Sequence, residues 1–167
     1  MGADIHLYLE KKLPTGEWAT VQTFSHTYRQ AFGMSKEGEN IYNNMLFWQL
    51  EGRFYRLFAK LAGVRGEGPA PRGIPPDASP LYQWYAEEWG SDGHSHSWCS
   101  AQEFVTKYIE ALDDQGGESD IQKLYVSHVL ERGTNSAVLQ FLEVYGGVAT
   151  VEEDKADDYR FCFFFDN

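Results

Sequence analysis

Between residues 4 and 10 apolar and polar side chains alternate. Ile5, Leu7 and Leu9 fall on one parity; Asp4, His6, Tyr8 and Glu10 fall on the other. This period of two marks a β-strand with one face turned to a core. Pro14-Thr15-Gly16 reads as a turn and Trp18 to Phe24 as a second strand, which predicts an N-terminal hairpin. A third strand is expected from Tyr159 to Phe165.

Between these ends the period becomes helical. Residues 25–44 are polar and Gly-containing and read as a long loop. Phe54, Leu57, Phe58 and Leu61 follow i, i+3, i+4, i+7, so a helix is expected to start after Asn44 and stop at Gly63. Five of the six prolines lie between residues 69 and 80, which predicts a loop of restricted conformation. Ser79 followed by Pro80 is an N-cap with proline at N1, opening a short helix whose apolar stripe reads as Leu81, Trp84, Tyr85 and Trp89. Asp92 to Trp98 reads as a His-rich loop. Ser100-Ala101-Gln102-Glu103 is a capping box for a helix carrying Phe104, Tyr108 and Leu112 and closing before Gly116-Gly117. Another helix is expected from Ser119 to Arg132, stopped by Gly133. Residues 137–145 fit helix or strand, and their low β-branched content favours helix. The expected architecture is one α+β domain over residues 1–167. A small, mostly antiparallel sheet joins both termini, with the first and last strands adjacent and helices packed on one face.

The composition supports this reading. The chain has 167 residues, 43% of them hydrophobic, with 11 Phe, 10 Tyr and 5 Trp, enough for a substantial core. No apolar run approaches the about 20 residues of a membrane span. Met1 to His6 lacks the basic and apolar regions of a secretory signal, so a cytoplasmic location is expected. Cys99 and Cys162 make no disulfide framework or zinc-knuckle spacing; Cys162 is expected in the core and Cys99 near the site. The net charge of -11 disfavours a nonspecific grip on nucleic acid, which needs cations against phosphates. The acidic run from Glu152 to Asp158 reads as a solvated loop.

The candidate chemistry lies in two groups. Asp4 and His6 share a strand face, and Asp92-Gly93-His94-Ser95-His96-Ser97-Trp98 places two of five histidines in an H-x-H spacing. Asp4, His6, Asp92, His94 and His96 would make a mixed N/O set suited to a divalent transition metal such as zinc or manganese. The competing reading is that the loop histidines bond backbone groups. The second group is Arg53, Tyr55, Arg65, Arg72, Trp84 and Trp98. Arginine forks grip phosphate or carboxylate, and the aromatic rings can stack on a base. The competing reading is that these arginines pair with surface carboxylates while the tryptophans fill the core.

Asp4-x-His6 and Gly93-His94-x-His96 resemble two blocks of calcineurin-like metallophosphoesterases, without the intervening blocks that complete that family's two-metal site. A longer resemblance covers most of the chain. Met1 to His6, Arg53 to Arg65, Pro71 to Ser79, Asp92 to Trp98 and Phe165-Asp166-Asn167 are similar to the motifs of an uncharacterised family of small bacteriophage and prophage proteins. Ala3 replaces that family's cysteine and Arg56 its usual acidic residue. The resemblance implies a phage accessory protein acting in the host cytoplasm, of a kind that often counters host defences.

Three functions therefore stand open. The first is a binding module for a small phosphorylated, nucleotide-like ligand. The second is a metal-dependent hydrolase or phosphoesterase with a metal-bound water as nucleophile. The third is an acidic protein inhibitor of a host protein. No serine elbow, P-loop or dinucleotide fingerprint points to another enzyme class.

Overall fold

The structure is a computed structural model that describes residues 4–25, 54–114 and 120–166. The expected loop after residue 25 and Arg53 lie outside the described residues, whereas the helix expected to begin after Asn44 starts at Tyr55. Within them, β1 (Asp4–Lys12) and β2 (Trp18–Ser25) form the N-terminal hairpin. There follow α1 (Tyr55–Ala62), α2 (Pro80–Trp89), β3 (Gly93–Ser100), α3 (Ala101–Asp113), α4 (Asp120–Arg132), α5 (Thr134–Gly146), a single 3-10 turn (Ala156–Asp158) and β4 (Tyr159–Asp166). The four strands form one antiparallel sheet in the order β2-β1-β4-β3. The first and last strands are adjacent as expected, with Asp4 opposite Asp166 and Lys11 opposite Tyr159. The chain is α+β. No helix among the described residues is long and apolar enough to cross a membrane.

β4 is buried at every position. Phe161, Phe163 and Phe165 join Ile5, Leu7 and Leu9 in the main core, under Phe58 of α1, Phe104 and Tyr108 of α3, and Phe141 of α5. Burying each such ring contributes about 1.5–3 kcal/mol. The opposite parity of β4 is covered as well: Cys162 and Phe164 pack with Tyr8 against Tyr82 of α2, with Tyr85, Trp89 and Trp98 around them. Helices thus cover both faces, because the apolar run Phe161–Phe165 leaves neither parity fit for water.

Local signals locate most elements well. Leu57, Phe58 and Leu61 are the buried stripe of α1, and Gly63 ends it in the left-handed region (φ 66°). Ser79 Oγ accepts from Tyr82 N at 3.2 Å, with Pro80 at N1. Residues 137–145 are helical within α5. Two expectations need correction. The buried side of α2 is Tyr82 and Ala86, with Leu81 and Trp84 exposed, so the stripe is turned by about one residue from the expected one. The segment Gly93–Ser100 is not a loop but the edge strand β3. A bulge lets it pair with β4 despite its polar sequence.

Candidate functional site

The covered second face of the sheet collects most of the candidate residues. The even parity of β1 places His6, Tyr8 and Glu10 there. The same face of β4 contributes Arg160, Cys162, Phe164 and Asp166, and that of β3 contributes His96 and Trp98.

At one end lies a buried carboxylate–imidazole pair. His6 Nε2 is 3.0 Å from Asp166 Oδ2, and Asp166 Oδ1 accepts the Asp4 backbone N–H at 3.2 Å. The imidazole stacks on Phe164 (4.6 Å, 11°) and tilts against Trp89 (4.7 Å). His96, on the strand at the other side of β4, stacks on the same phenyl ring at 5.0 Å, so Phe164 stands between the two imidazoles. His94 goes elsewhere. It sits opposite Phe165, on the main-core parity, and its Nδ1 is 2.9 Å from Ser95 Oγ. The cause is the bulge between His94 and Ser97, where Ser95 adopts φ 55°. One extra residue sends the two histidines to opposite faces. Asp92 is exposed in the turn before β3.

The five residues considered for a metal are therefore not gathered at one point. Asp166 occupies His6, the bulge separates His94 from His96, and no three His, Cys, Asp or Glu residues among those described form a metal-holding group. The Nε2 atoms of His94 and His96 are buried without a hydrogen-bond partner among the described residues. Burial, and secondarily the neighbouring His94, lowers the pKa of His96 below its usual 6.5. Cys99 faces Phe161 in the main core, within electrostatic range of Arg72 and Glu103, and burial, then Glu103, pushes its thiol well above its ordinary range.

At the other end of the same face cations and indoles alternate. Lys12 lies over Trp18 (6.0 Å), Arg160 over Trp18 (4.0 Å) and Trp98 (5.9 Å), and Arg72 over Trp98 (5.4 Å). Acidic groups hold this ladder in place. Arg160 Nε donates to Glu10 at 2.6 Å and its terminal nitrogens to Asp77 Oδ1 and the Asp77 carbonyl at 2.8 and 3.0 Å. Trp18 Nε1 donates to Asp77, and the Ser79 amide donates to Glu10. Asp77 and Ser79 thereby clamp the Pro-rich segment onto the sheet. The same segment shields the edge strand, with Gly73 N donating to the His96 carbonyl (2.8 Å) and Arg72 N to Ser97 Oγ (3.1 Å).

Arg72 is the candidate that this arrangement presents outward. Its guanidinium donates to both carboxylate oxygens of Glu103 at 2.9 and 2.7 Å and to the Trp98 carbonyl at 2.9 Å. The Arg72 side chain is 38% exposed and that of Glu103 33%. The Ser100 hydroxyl accepts from Glu103 N as the capping box requires, but the Glu103 carboxylate is turned to Arg72. The remaining candidates fall elsewhere. Arg65 lies over Tyr55 at 5.0 Å, at the end of α1, and Trp84 is 51% exposed on α2, edge-on to Tyr85.

Sequence reasoning missed Glu10, Asp77, Glu103, Arg160 and Trp18 as members of the Arg/Trp group. Glu10 and Arg160 carried a usable signal: each is a charge next to apolar residues on a central strand, and charges buried in a sheet need partners. Comparisons with protein-family models, curated proteins and solved structures returned no match.

Proposed function

We propose that this protein is a binding module that holds a small phosphorylated, nucleotide-like ligand at the Arg72–Trp98 surface without cleaving it. This is the work of a phage accessory protein, in line with the resemblance described above. The observation that carries the reading is the Arg72–Glu103 pair. Here an internal carboxylate occupies the guanidinium fork in the two-pronged geometry that a phosphate would take, and the Trp98 indole under the guanidinium holds the fork in place. A half-exposed pair of this kind is worth about 0–1 kcal/mol, so exchanging Glu103 for a ligand oxyanion costs little. The metal-dependent hydrolase ranks second because it needs His6 to converge with His94 or His96. A protein inhibitor would not draw on the Arg72 fork.

The test is to incubate the protein with inorganic phosphate and a panel of linear and cyclic nucleotides, with and without divalent metal. Unbound and heat-released fractions are then analysed separately. Intact nucleotide in the heat-released fraction is expected. Arg72→Ala removes charge-assisted bonds worth about 1.5–3 kcal/mol and should weaken binding about 10- to 150-fold. Glu103→Gln removes the internal competitor and should tighten it, by up to about fivefold. Altered nucleotide would overturn the reading in favour of catalysis. Absence of binding across the panel, or binding indifferent to both substitutions, would overturn the Arg72 site.

A further inference from the structure

The Arg72–Glu103 pair stands at the head of a row of charges along α3. Glu103, Lys107, Glu110 and Asp114 follow one another at intervals of four, three and four residues, so they share one face of the helix. Lys107 Nζ donates to the two Glu110 oxygens at 3.3 and 3.0 Å, and Lys60 of α1 reaches Asp114 at 2.9 Å. Glu110 also lies within electrostatic range of Lys60, where it adds to Asp114 in favouring the charged ammonium. Arg72, Lys107 and Lys60 thus set three cations against three carboxylates. Each of the six side chains is partly exposed, so the pairs can exchange partners at little cost.

An anion that takes the Arg72 fork displaces Glu103 and leaves the three carboxylates to share two lysines. The place that Glu103 then finds decides how readily the fork opens. Left beside the bound anion, its carboxylate repels it. One helical turn further on, it meets Lys107. Glutamate four residues before lysine is the favoured order for an ion pair on a helix. Helical side chains lean toward the N-terminus of their helix, which carries the Lys107 stem toward Glu103 and away from Glu110.

We propose that Lys107 is a positioning residue of the Arg72 site: it receives the Glu103 carboxylate when a phosphate-bearing ligand takes the guanidinium fork, and Glu110 turns to Lys60. This rests on the ligand-binding reading above and adds how the site opens. Arg72–Glu103 is the closed arrangement and Glu103–Lys107 the open one. The guanidinium keeps its bond to the Trp98 carbonyl in both, so the fork stays in place while the carboxylate swings. The two arrangements differ by one exposed ion pair on the helix, so Lys107 shifts the balance between them about twofold.

The test is titration with inorganic phosphate and pyrophosphate at low ionic strength, followed by NMR at the Arg72 Nε–H, with thermal unfolding to confirm that each variant is folded. Lys107→Gln should weaken binding about twofold, and Lys107→Arg should leave it at the wild-type level. Glu110→Gln frees the ammonium for Glu103 and should tighten binding about twofold. Lys107→Gln and Glu110→Gln also change the net charge, so each is repeated in the Glu103→Gln background. No carboxylate then needs a new partner, and most of both effects should be lost. Effects as large in that background would mean that Lys107 and Glu110 act on the anion through their own fields, and would overturn the proposal. Unchanged binding in Lys107→Gln would overturn it too. Phosphate and pyrophosphate that bind neither the wild type nor any variant would overturn the Arg72 site itself and the proposal with it, an outcome distinct from the other two.

Discussion

Replacing Arg160 by methionine isolates the energetics of the second face. The substitution keeps an unbranched apolar stem and removes the guanidinium. It leaves the Glu10 carboxylate, whose side chain is 0% exposed, with the Ser79 amide and the weakly donating Cys162 thiol but without its cation. Breaking a buried pair from one side costs about 3–5 kcal/mol, because the remaining charge stays desolvated. Asp77 behaves differently: its side chain is 63% exposed, so Asp77→Asn should cost only about 0–1 kcal/mol. For a domain of this size 3–5 kcal/mol corresponds to a fall in Tm of about 6–20 °C. Urea unfolding followed by tryptophan fluorescence suits the measurement, because Trp18 and Trp98 flank the deleted group. The double variant Arg160→Met with Glu10→Met removes both charges and leaves the Ser79 amide, with the weakly donating Cys162 thiol, without its acceptor, at about 1–3 kcal/mol. It should therefore be far more stable than the sum of the single variants implies, with a coupling above about 2 kcal/mol. An Arg160→Met cost below about 1 kcal/mol, or additive single and double variants, would refute the claim that this network is a desolvated pair holding the Pro-rich segment.

Two further outcomes are expected. His96 resists protonation in the folded state because burial, then His94, lowers its pKa below 6.5. The unfolded chain binds that proton more readily, so the His96 contribution is full above about pH 6.5 and is lost as pH falls through the lowered folded value. Urea midpoints between pH 7.5 and 5 should show a smaller decline in His96→Gln than in the wild type; equal slopes would count against this. A Cβ on Gly68 would lie 1.8 Å from the Ala59 carbonyl oxygen, whereas one on Gly146 meets nothing nearer than 3.7 Å. Gly68→Ala should therefore cost about 1–3 kcal/mol in a denaturant titration, and Gly146→Ala should be neutral or stabilising by up to about 1 kcal/mol.

The outline of the fold is legible because its signals are local. The alternation of residues 4–10 and the aromatic run of β4 mark the two central strands, and Ser79-Pro80, Gly63 and Gly133 punctuate the helices where they stand in the sequence. The second covered face is also written in β4, since Phe161 to Phe165 is apolar on both parities and a strand of that kind has to be covered twice. The site is less legible because its geometry turns on one residue. Asp-x-His on β1 and His-x-His on β3 look like convergent ligands only while β3 keeps a period of two. Ser95, held at φ 55°, adds a residue to the ladder and places His94 with Phe165 and His96 with Phe164. No propensity in Gly-His-Ser-His-Ser announces that bulge, because it is set by the pairing with β4, some seventy residues away in the chain. The same long-range pairing explains why Arg72 was identifiable as a candidate while Glu103 was not. Glu103 has an adequate local role as the third residue of a helix cap, and only the Pro-rich segment lying along β3 brings an arginine within reach of its carboxylate.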